Sequence, residues 1–356
     1  MDRFKEAGEI LCRWYEEFGR DLPWRKRHDS YAIWISEIML QQTRVDTVIA
    51  YYERFLERFP DIFSLAQADE SDILAMWQGL GYYPRARNIY RAAQIVVEKY
   101  DRVFPSSFKV ISSFPGIGEY TAGAIVSIAY NQSYPAVDGN AIRVISRWEG
   151  LAEDPSKDKL KKKIGVLMLS MMPEGRAGDF NQAVMDLGAT VCIPGEPSCA
   201  SCPLQPSCEA FASDRQNELP LKRKAVKKPE PLPYGVVVVR KDDQLLMEFR
   251  QDETLLGKMW GFPMVKIEKR ASKSPSEEIL HVRQLFQEKY RLELSGGNKI
   301  GRILHIFTHQ MWEMEVLEFS LEPSQSFPAG LYWISSTEIK NLPVPTAFYK
   351  VLRLLS

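Results

Sequence analysis

Phe114-Pro115-Gly116-Ile117-Gly118-Glu119-Tyr120-Thr121-Ala122 is the stretch on which the reading of this chain turns. It stands between a short helical pattern over residues 108–112 and a longer one over residues 120–130. The glycines let the backbone turn tightly and leave N–H groups at a helix N-terminus uncovered, which suits a phosphate. A plain Pro-Gly turn between two core helices would use the same residues. Val137-Asp138-Gly139-Asn140 follows and opens another helical stretch over residues 140–148, and this pairing favours the phosphate reading.

Working outward, apolar residues recur at helical spacing from residue 4 to about 211, as in Ile10, Trp14 and Phe18 or Ile33, Trp34 and Leu40. Pro60, Gly79, Gly81, Pro105, Pro135 and Pro173 punctuate the pattern, which predicts roughly ten short helices. SDRQNELPLKRKAVKKPEPLP, residues 213–233, loses the periodicity and gathers Lys222, Arg223, Lys224, Lys227 and Lys228 between prolines. That composition predicts an extended, solvated linker, with a phosphate-tracking role as the alternative. Beyond it come β-branched runs at 234–239, alternation at 244–249 and 311–319, and one amphipathic helix at 277–290, the pattern of a small α+β domain.

Composition bounds the function. With 45% hydrophobic and 26% charged residues the chain is neither disordered nor a disulfide scaffold. Lys plus Arg and Asp plus Glu both total 46, so nucleic-acid binding, if present, is local rather than global. No apolar run reaches a membrane span, and Asp2, Lys5, Glu6 and Glu9 interrupt any export signal, so a cytoplasmic protein is expected. P-loop and HExxH motifs are missing, and His28, His281, His305 and His309 are too few for a His-rich metal site.

Cys192, Cys199, Cys202 and Cys208 fall within 17 residues, close enough for four thiolates from one loop to converge. Iron–sulfur clusters take four cysteines, whereas structural zinc usually pairs two Cys-x2-Cys knuckles and only one is present; a [4Fe–4S] cluster is favoured over zinc. Cys12, in a helical pattern, reads as a structural thiol.

Two carboxylates carry the chemistry. Glu37 projects from the apolar stripe of Ile33, Trp34 and Leu40, where desolvation raises its pKa and keeps it protonated. Asp138 precedes a helix, where it can accept backbone hydrogen bonds that keep it ionised. An acid and a base of this kind cleave glycosidic bonds through an oxocarbenium-like transition state. Taken singly, Asp138 is a plain helix cap and Glu37 an end-of-stripe residue. Gln41, Gln42 and Arg44, with Gly79-Leu80-Gly81-Tyr82-Tyr83, are side chains that can wedge into a base stack or simply pack in loops.

Taken together, Trp24-Arg25, Ser36-Glu37-Ile38-Met39-Leu40-Gln41-Gln42-Thr43, Gly79-Leu80-Gly81-Tyr82-Tyr83, the glycine turn, Val137-Asp138-Gly139-Asn140 and the cysteines resemble the endonuclease III superfamily and, within it, the MutY adenine DNA glycosylases. The resemblance implies a multidomain protein: an all-α, two-lobed helix-hairpin-helix glycosylase domain at 1–212, a basic linker at 213–232 and a MutT/Nudix-like α+β domain at 233–356. One lobe spans about 25–132, the other about 1–24 and 133–212. It implies removal of adenine mispaired with 8-oxoguanine or guanine from duplex DNA by a monomeric enzyme. Glu37 would protonate adenine N7, Asp138 stabilise the sugar cation, and Tyr120 and Asn140 assist. Trp24, Arg25 and Gln182 match pocket positions, and Gln42, Thr43, Leu80 and Tyr82, with Gly116 and Gly118 of the hairpin, match DNA-contacting ones. The hairpin would also admit a monovalent cation.

Relatives that resemble endonuclease III itself and cut the strand carry a lysine where Tyr120 stands; a phenol forms no Schiff base, so a monofunctional enzyme is expected. In the C-terminal domain Arg283-Gln284-Leu285-Phe286-Gln287-Glu288 corresponds to a Nudix box with two of three acids replaced by glutamine, a poor ligand for magnesium. Phe307-Thr308-His309 matches the family's 8-oxoguanine-probing loop, with strand-edge packing as the alternative. Phosphates are expected on backbone N–H groups and on Arg85, Arg87, Arg143 and Arg147. An endonuclease III-like lyase, a silent DNA-binding protein and a nucleotide pyrophosphatase are the competing readings.

Overall fold

The structure, a computed structural model, describes residues 2–27, 29–221, 229–251, 255–268, 274–307, 309–322 and 327–355. Thr308 and the basic run Lys222, Arg223, Lys224, Lys227 and Lys228 lie outside the described residues. The chain separates into two compact units, one gathering Met1–Ala68 with Pro84–Ala225, the other Asp69–Tyr83 with Val226–Ser356.

The first unit is helical: α1 (Arg3–Phe18), α2 (Ser30–Leu40), α3 (Val45–Arg58) and α4 (Ile62–Ala66), and then, beyond α5 (Glu70–Met76) of the second unit, α6 (Pro84–Lys99), α7 (Phe108–Ile111), α8 (Glu119–Tyr130), α9 (Gly139–Trp148), α10 (Asp158–Met171), α11 (Ala177–Thr190) and α12 (Glu209–Ala212). Asp2, Asp29, Asp61 and Asp138 each start a helix by accepting a backbone N–H from its first turn. Leu11 and Cys12 of α1, Ile145 and Trp148 of α9, Leu160, Ile164 and Met168 of α10, and Phe180, Val184 and Leu187 of α11 form one core, on which Cys192, Cys202 and Cys208 pack. Helix α2 departs from the expected stripe. It packs against α3, α6 and α8, and every residue from Tyr31 to Met39 is buried, so Glu37 leaves a helix enclosed on all sides. Part of the expected linker is also anchored: Leu219 is buried, and Arg147 Nε donates to its carbonyl at 2.8 Å.

The second unit holds β1 (Pro231–Lys241), β2 (Gln244–Arg250), β3 (Met259–Gly261), β4 (Met264–Lys266), β5 (Leu294–Ile306), β6 (Met311–Leu321) and β7 (Leu331–Ser335), with α13 (Pro275–Tyr290), α14 (Ser336–Ile339) and α15 (Thr346–Leu355). Strand order is β3-β2-β1-β6-β5, with β4 added to β1 and β7 to β2; β1 and β6 run parallel, the other pairs antiparallel. Val237, Val239, Leu246, Leu317 and Phe319 of the sheet bury Val282, Phe286 and Tyr290 of α13. Strand β5 was hidden in the sequence because it opens on Ser295-Gly296-Gly297 and breaks register twice, which destroys strict alternation.

Candidate active site

Helices α2, α8, α9 and α11 and the 3-10 turn Pro23–Arg25 of the first unit surround a cavity of about 210 Å³. Glu37, Tyr120, Asp138 and Asn140 all face it, as do Trp24, Arg25, Thr43 and Gln182. Eight positions scattered between residues 24 and 182 thus converge on one space. The convergence depends on close backbone approach: a Cβ at Gly188 of α11 would stand 2.6 Å from Asn140 Cβ, so only glycine lets α11 seat the start of α9 here.

Glu37 is 5% exposed, and Tyr120 Oη donates to its Oε2 at 2.8 Å. Burial pushes its carboxyl from 4.5 up to about 7, the nearby Asp138 charge adds to the rise, and the Tyr120 bond and Arg25 oppose it. Burial likewise holds the Tyr120 phenol well above its ordinary value, so it stays a hydrogen-bond donor. Asp138 caps α9, accepting from Ala141 N–H at 2.7 Å and from Asn140 Nδ2 at 2.7 Å. The capping bonds expected from the sequence are present, yet they do not hold the carboxyl low: burial outweighs them, and the Asp138 pKa lies above its ordinary value.

Sequence reasoning missed Asp186. Its side chain is fully buried and takes a bidentate pair from Arg25, both bonds 2.7 Å, and a further bond from Arg20 Nε at 2.8 Å. Burial works to raise this carboxyl, but Arg25 and Arg20 together bring it below its ordinary value. Asp186 therefore stays charged and fixes Arg25 at the cavity wall. Gln182 and Asp186, four apart on α11, share one face, and that spacing was the available signal.

Arg85, Arg143 and Arg147, expected on phosphates, are engaged inside the protein. Arg85 Nη1 donates to the carbonyls of Ile38, Met39 and Gln41 at 2.9, 3.0 and 2.6 Å, closing the C-terminus of α2. Arg143 binds Asn140 Oδ1 at 2.8 Å and the carbonyls of Gly188 and Cys192, both at 2.7 Å. Arg147 serves the carbonyls of Leu219 and Ile193, both at 2.8 Å. The buried loop carbonyls that they satisfy leave no trace in a sequence pattern. Arg87 is half-buried on α6.

At the hairpin, Gly116 takes φ +78 and Gly118 caps α8 with open space where a Cβ would stand, so the first N–H groups of α8 are uncovered. Gln42 is exposed in the left-handed region at φ 60. Leu80, Tyr82, Phe307 and His309 belong to the second unit. Leu80 is buried and Tyr82 41% exposed. His309 is exposed, while Phe307 packs edge-on to His305 and Trp312 with centroids 4.5 and 4.8 Å away.

The four clustered cysteines are free thiols around one small cavity, presented by the end of α11 and the 3-10 turns Cys199–Ser201 and Gln205–Ser207. Arg147 Nη1 stands 3.4 Å from Cys192 Sγ. Burial pushes Cys202 up to about 12 and raises Cys199 and Cys208. Among the described residues no three His, Cys, Asp or Glu side chains are gathered tightly enough for a single metal ion. Four cysteine sulfurs around one cavity are the donor set that an iron–sulfur cluster takes.

Comparison with known proteins agrees with this architecture. Residues 35–168 match the HhH-GPD superfamily of base excision DNA repair proteins and residues 235–354 match the NUDIX domain. Curated relatives named adenine DNA glycosylase include those of Mus musculus, 34% identical over 97% of this chain and 76% of that protein, and Homo sapiens, 32% identical over 98% and 75%. That of Buchnera aphidicola is 38% identical over 74% of this chain and 75% of its own. Among solved structures, a thermostable thymine-DNA glycosylase matches 59% of this chain and 97% of its own with TM-score 0.54 and 28% identity. An endonuclease III–DNA covalent intermediate matches 60% and 99% with TM-score 0.51 and 18% identity, a likeness of fold. Identity of this level across both halves of the sequence places the chain in the adenine DNA glycosylase family, within the HhH-GPD superfamily.

Proposed function

We propose that this DNA N-glycosylase removes adenine mispaired with 8-oxoguanine or guanine from duplex DNA and leaves an abasic site. The observation that carries the reading is a carboxyl that retains its proton up to about pH 7 beside a second carboxylate in one cavity: Glu37, raised to about 7, with Asp138 close enough to contribute to that rise. In the reaction Glu37 gives its proton to N7 of the flipped adenine, so the base leaves neutral as the C1′–N9 bond breaks. Asp138 faces the resulting sugar cation, held by Ala141 N–H and the Asn140 amide. Water adds at C1′ and releases a proton. Tyr120 orients Glu37 and cannot form a Schiff base, so the strand stays intact.

The donor set fits a [4Fe–4S] cluster held by Cys192, Cys199, Cys202 and Cys208, whose ligation would fold the loop after α11 onto the core beneath. The exposed Gly118 turn supports a phosphate, with a cation at the hairpin as part of the same interface. The 8-oxoguanine preference is assigned to the C-terminal domain, where exposed His309 contacts the opposite strand; the packed ring of Phe307 gives it a supporting place.

The test offers duplexes with adenine opposite 8-oxoguanine, guanine, thymine and cytosine, each with and without alkali. Loss of adenine from the first two, with strand breaks only after alkali, is the expected result. Breaks without alkali, or equal excision from all four, would refute it.

A further inference from the structure

The turn Gly79-Leu80-Gly81-Tyr82-Tyr83, which lies in the N-terminal part of the sequence, folds with the C-terminal domain. Contacts among the described residues attach it there at each end of α5. Glu70, the first residue of α5, pairs with Lys258 at 2.7 Å. Gln78, just past the last turn, donates through Nε2 to the Val344 carbonyl at 3.3 Å.

These anchors share one frame. Lys258 immediately precedes β3, and Trp260 of β3 donates its N–H to the Pro343 carbonyl at 3.0 Å, next to Val344. Restraint continues into the turn, because Trp77 Nε1 at the end of α5 bonds the Gly81 carbonyl at 3.1 Å. Gly79, Gly81 and Tyr82 all take left-handed backbone, at φ 97, 69 and 52. For a tyrosine that conformation is strained and persists only where its surroundings impose it.

We propose that the C-terminal domain is the positioning element for Tyr82, holding α5 at both ends so that the strained turn presents the ring for entry into the base stack. This rests on Tyr82 being a stack-entering residue. It gives the domain a mechanical role besides reading the opposite base: a change around β3 reaches the wedge through Glu70, Gln78 and Trp77.

The experiment uses full-length holoprotein and duplexes with 2-aminopurine flanking the mispair, whose fluorescence reports unstacking. Lys258→Glu and Glu70→Lys should each weaken duplex affinity about two- to fivefold, the range of an exposed ion pair. Each should also lower the 2-aminopurine signal, and the charge-swapped double variant should restore both. Gln78→Leu, which leaves the charges alone, should act in the same direction. Single-turnover excision at saturating duplex should stay unchanged, and in a Tyr82→Ala background none of these changes should have a further effect. If Tyr82→Ala abolishes the signal while Lys258→Glu, Glu70→Lys and Gln78→Leu leave it intact, the positioning role is wrong and the wedge stands. If Tyr82→Ala itself leaves the signal intact, the wedge reading fails, and this inference with it.

Discussion

Replacing Glu37 by glutamine should stabilise the protein at alkaline pH while destroying its activity. The carboxyl is 5% exposed and its pKa rises from 4.5 to about 7 on folding, chiefly through burial. At about 1.4 kcal/mol per pH unit, the ionised folded form is disfavoured by about 3 kcal/mol. The folded-state value lies above the unfolded one, so the folded protein binds the proton more tightly. The penalty is therefore absent below about pH 4.5, grows as pH rises towards 7, and is full above it. Glutamine has nearly the same shape, keeps an oxygen for the Tyr120 hydroxyl, and carries no charge to desolvate. Chemical denaturation of wild type and Glu37→Gln at pH 5 and pH 8.5 should find the variant ahead by less than about 1 kcal/mol at the lower pH. At the higher pH the variant should lead by about 3 kcal/mol. Single-turnover excision on an adenine:8-oxoguanine duplex should be lost at both. A variant no more stable at pH 8.5 than at pH 5, relative to wild type, would refute the argument that burial keeps Glu37 neutral.

Four other outcomes follow from the same geometry. Tyr120→Phe removes a bond that lowers the Glu37 pKa, so the alkaline limb of the pH–rate profile should move to higher pH; movement the other way would contradict the assignment. Asp138→Asn removes a charge that raises Glu37, so carboxyl carbon NMR should find Glu37 titrating below 7, while asparagine keeps the helix cap and stability changes by less than about 1 kcal/mol; an unmoved Glu37 would mean the two carboxyls do not share a site. Asp186→Asn strips two arginines of a buried partner and should cost about 3 kcal/mol, at the low end because Arg20 keeps some solvent; a neutral result in thermal melts would make the ion pairs incidental. Purified protein should contain four iron atoms per chain if the proposed cluster is right, and Cys202→Ser should lose them; stoichiometric zinc by elemental analysis would replace that assignment.

What the sequence conveyed was local. The helix start at Asp138 was readable because a capping carboxylate acts on residues two or three positions away. The hairpin turn and the cysteine spacing were readable for the same reason. Packing was not. Glu37 was placed on a stripe because Ile33, Trp34 and Leu40 suggest one face, whereas α2 is surrounded and its polar exceptions are buried. Arg85, Arg143 and Arg147 look like phosphate ligands in any linear reading. The distant carbonyls that they satisfy, 44 to 72 residues away in sequence, need a donor only once the helices have packed. Asp186 was overlooked by the same logic, since its two arginines lie 161 and 166 residues away.

The division of labour between the two carboxylates follows from counting donors. Burial raises both, so desolvation alone does not say which keeps its proton. Among the described residues Glu37 has a single hydrogen bond, from a phenol, and one nearby cation, Arg25, whose guanidinium is already committed to Asp186. Asp138 has backbone N–H groups of Ala141 and Asn140, the Asn140 side-chain amide, and the charge of Arg143. Those donors favour the anion of Asp138, and that anion in turn raises Glu37. The proton therefore rests on Glu37, where the proposed reaction needs an acid for the leaving base, and the negative charge on Asp138, where it needs an anion opposite the sugar cation. Asn140 sets this asymmetry: its amide donates to Asp138 while its oxygen accepts from Arg143, so one side chain both holds the carboxylate and is itself held.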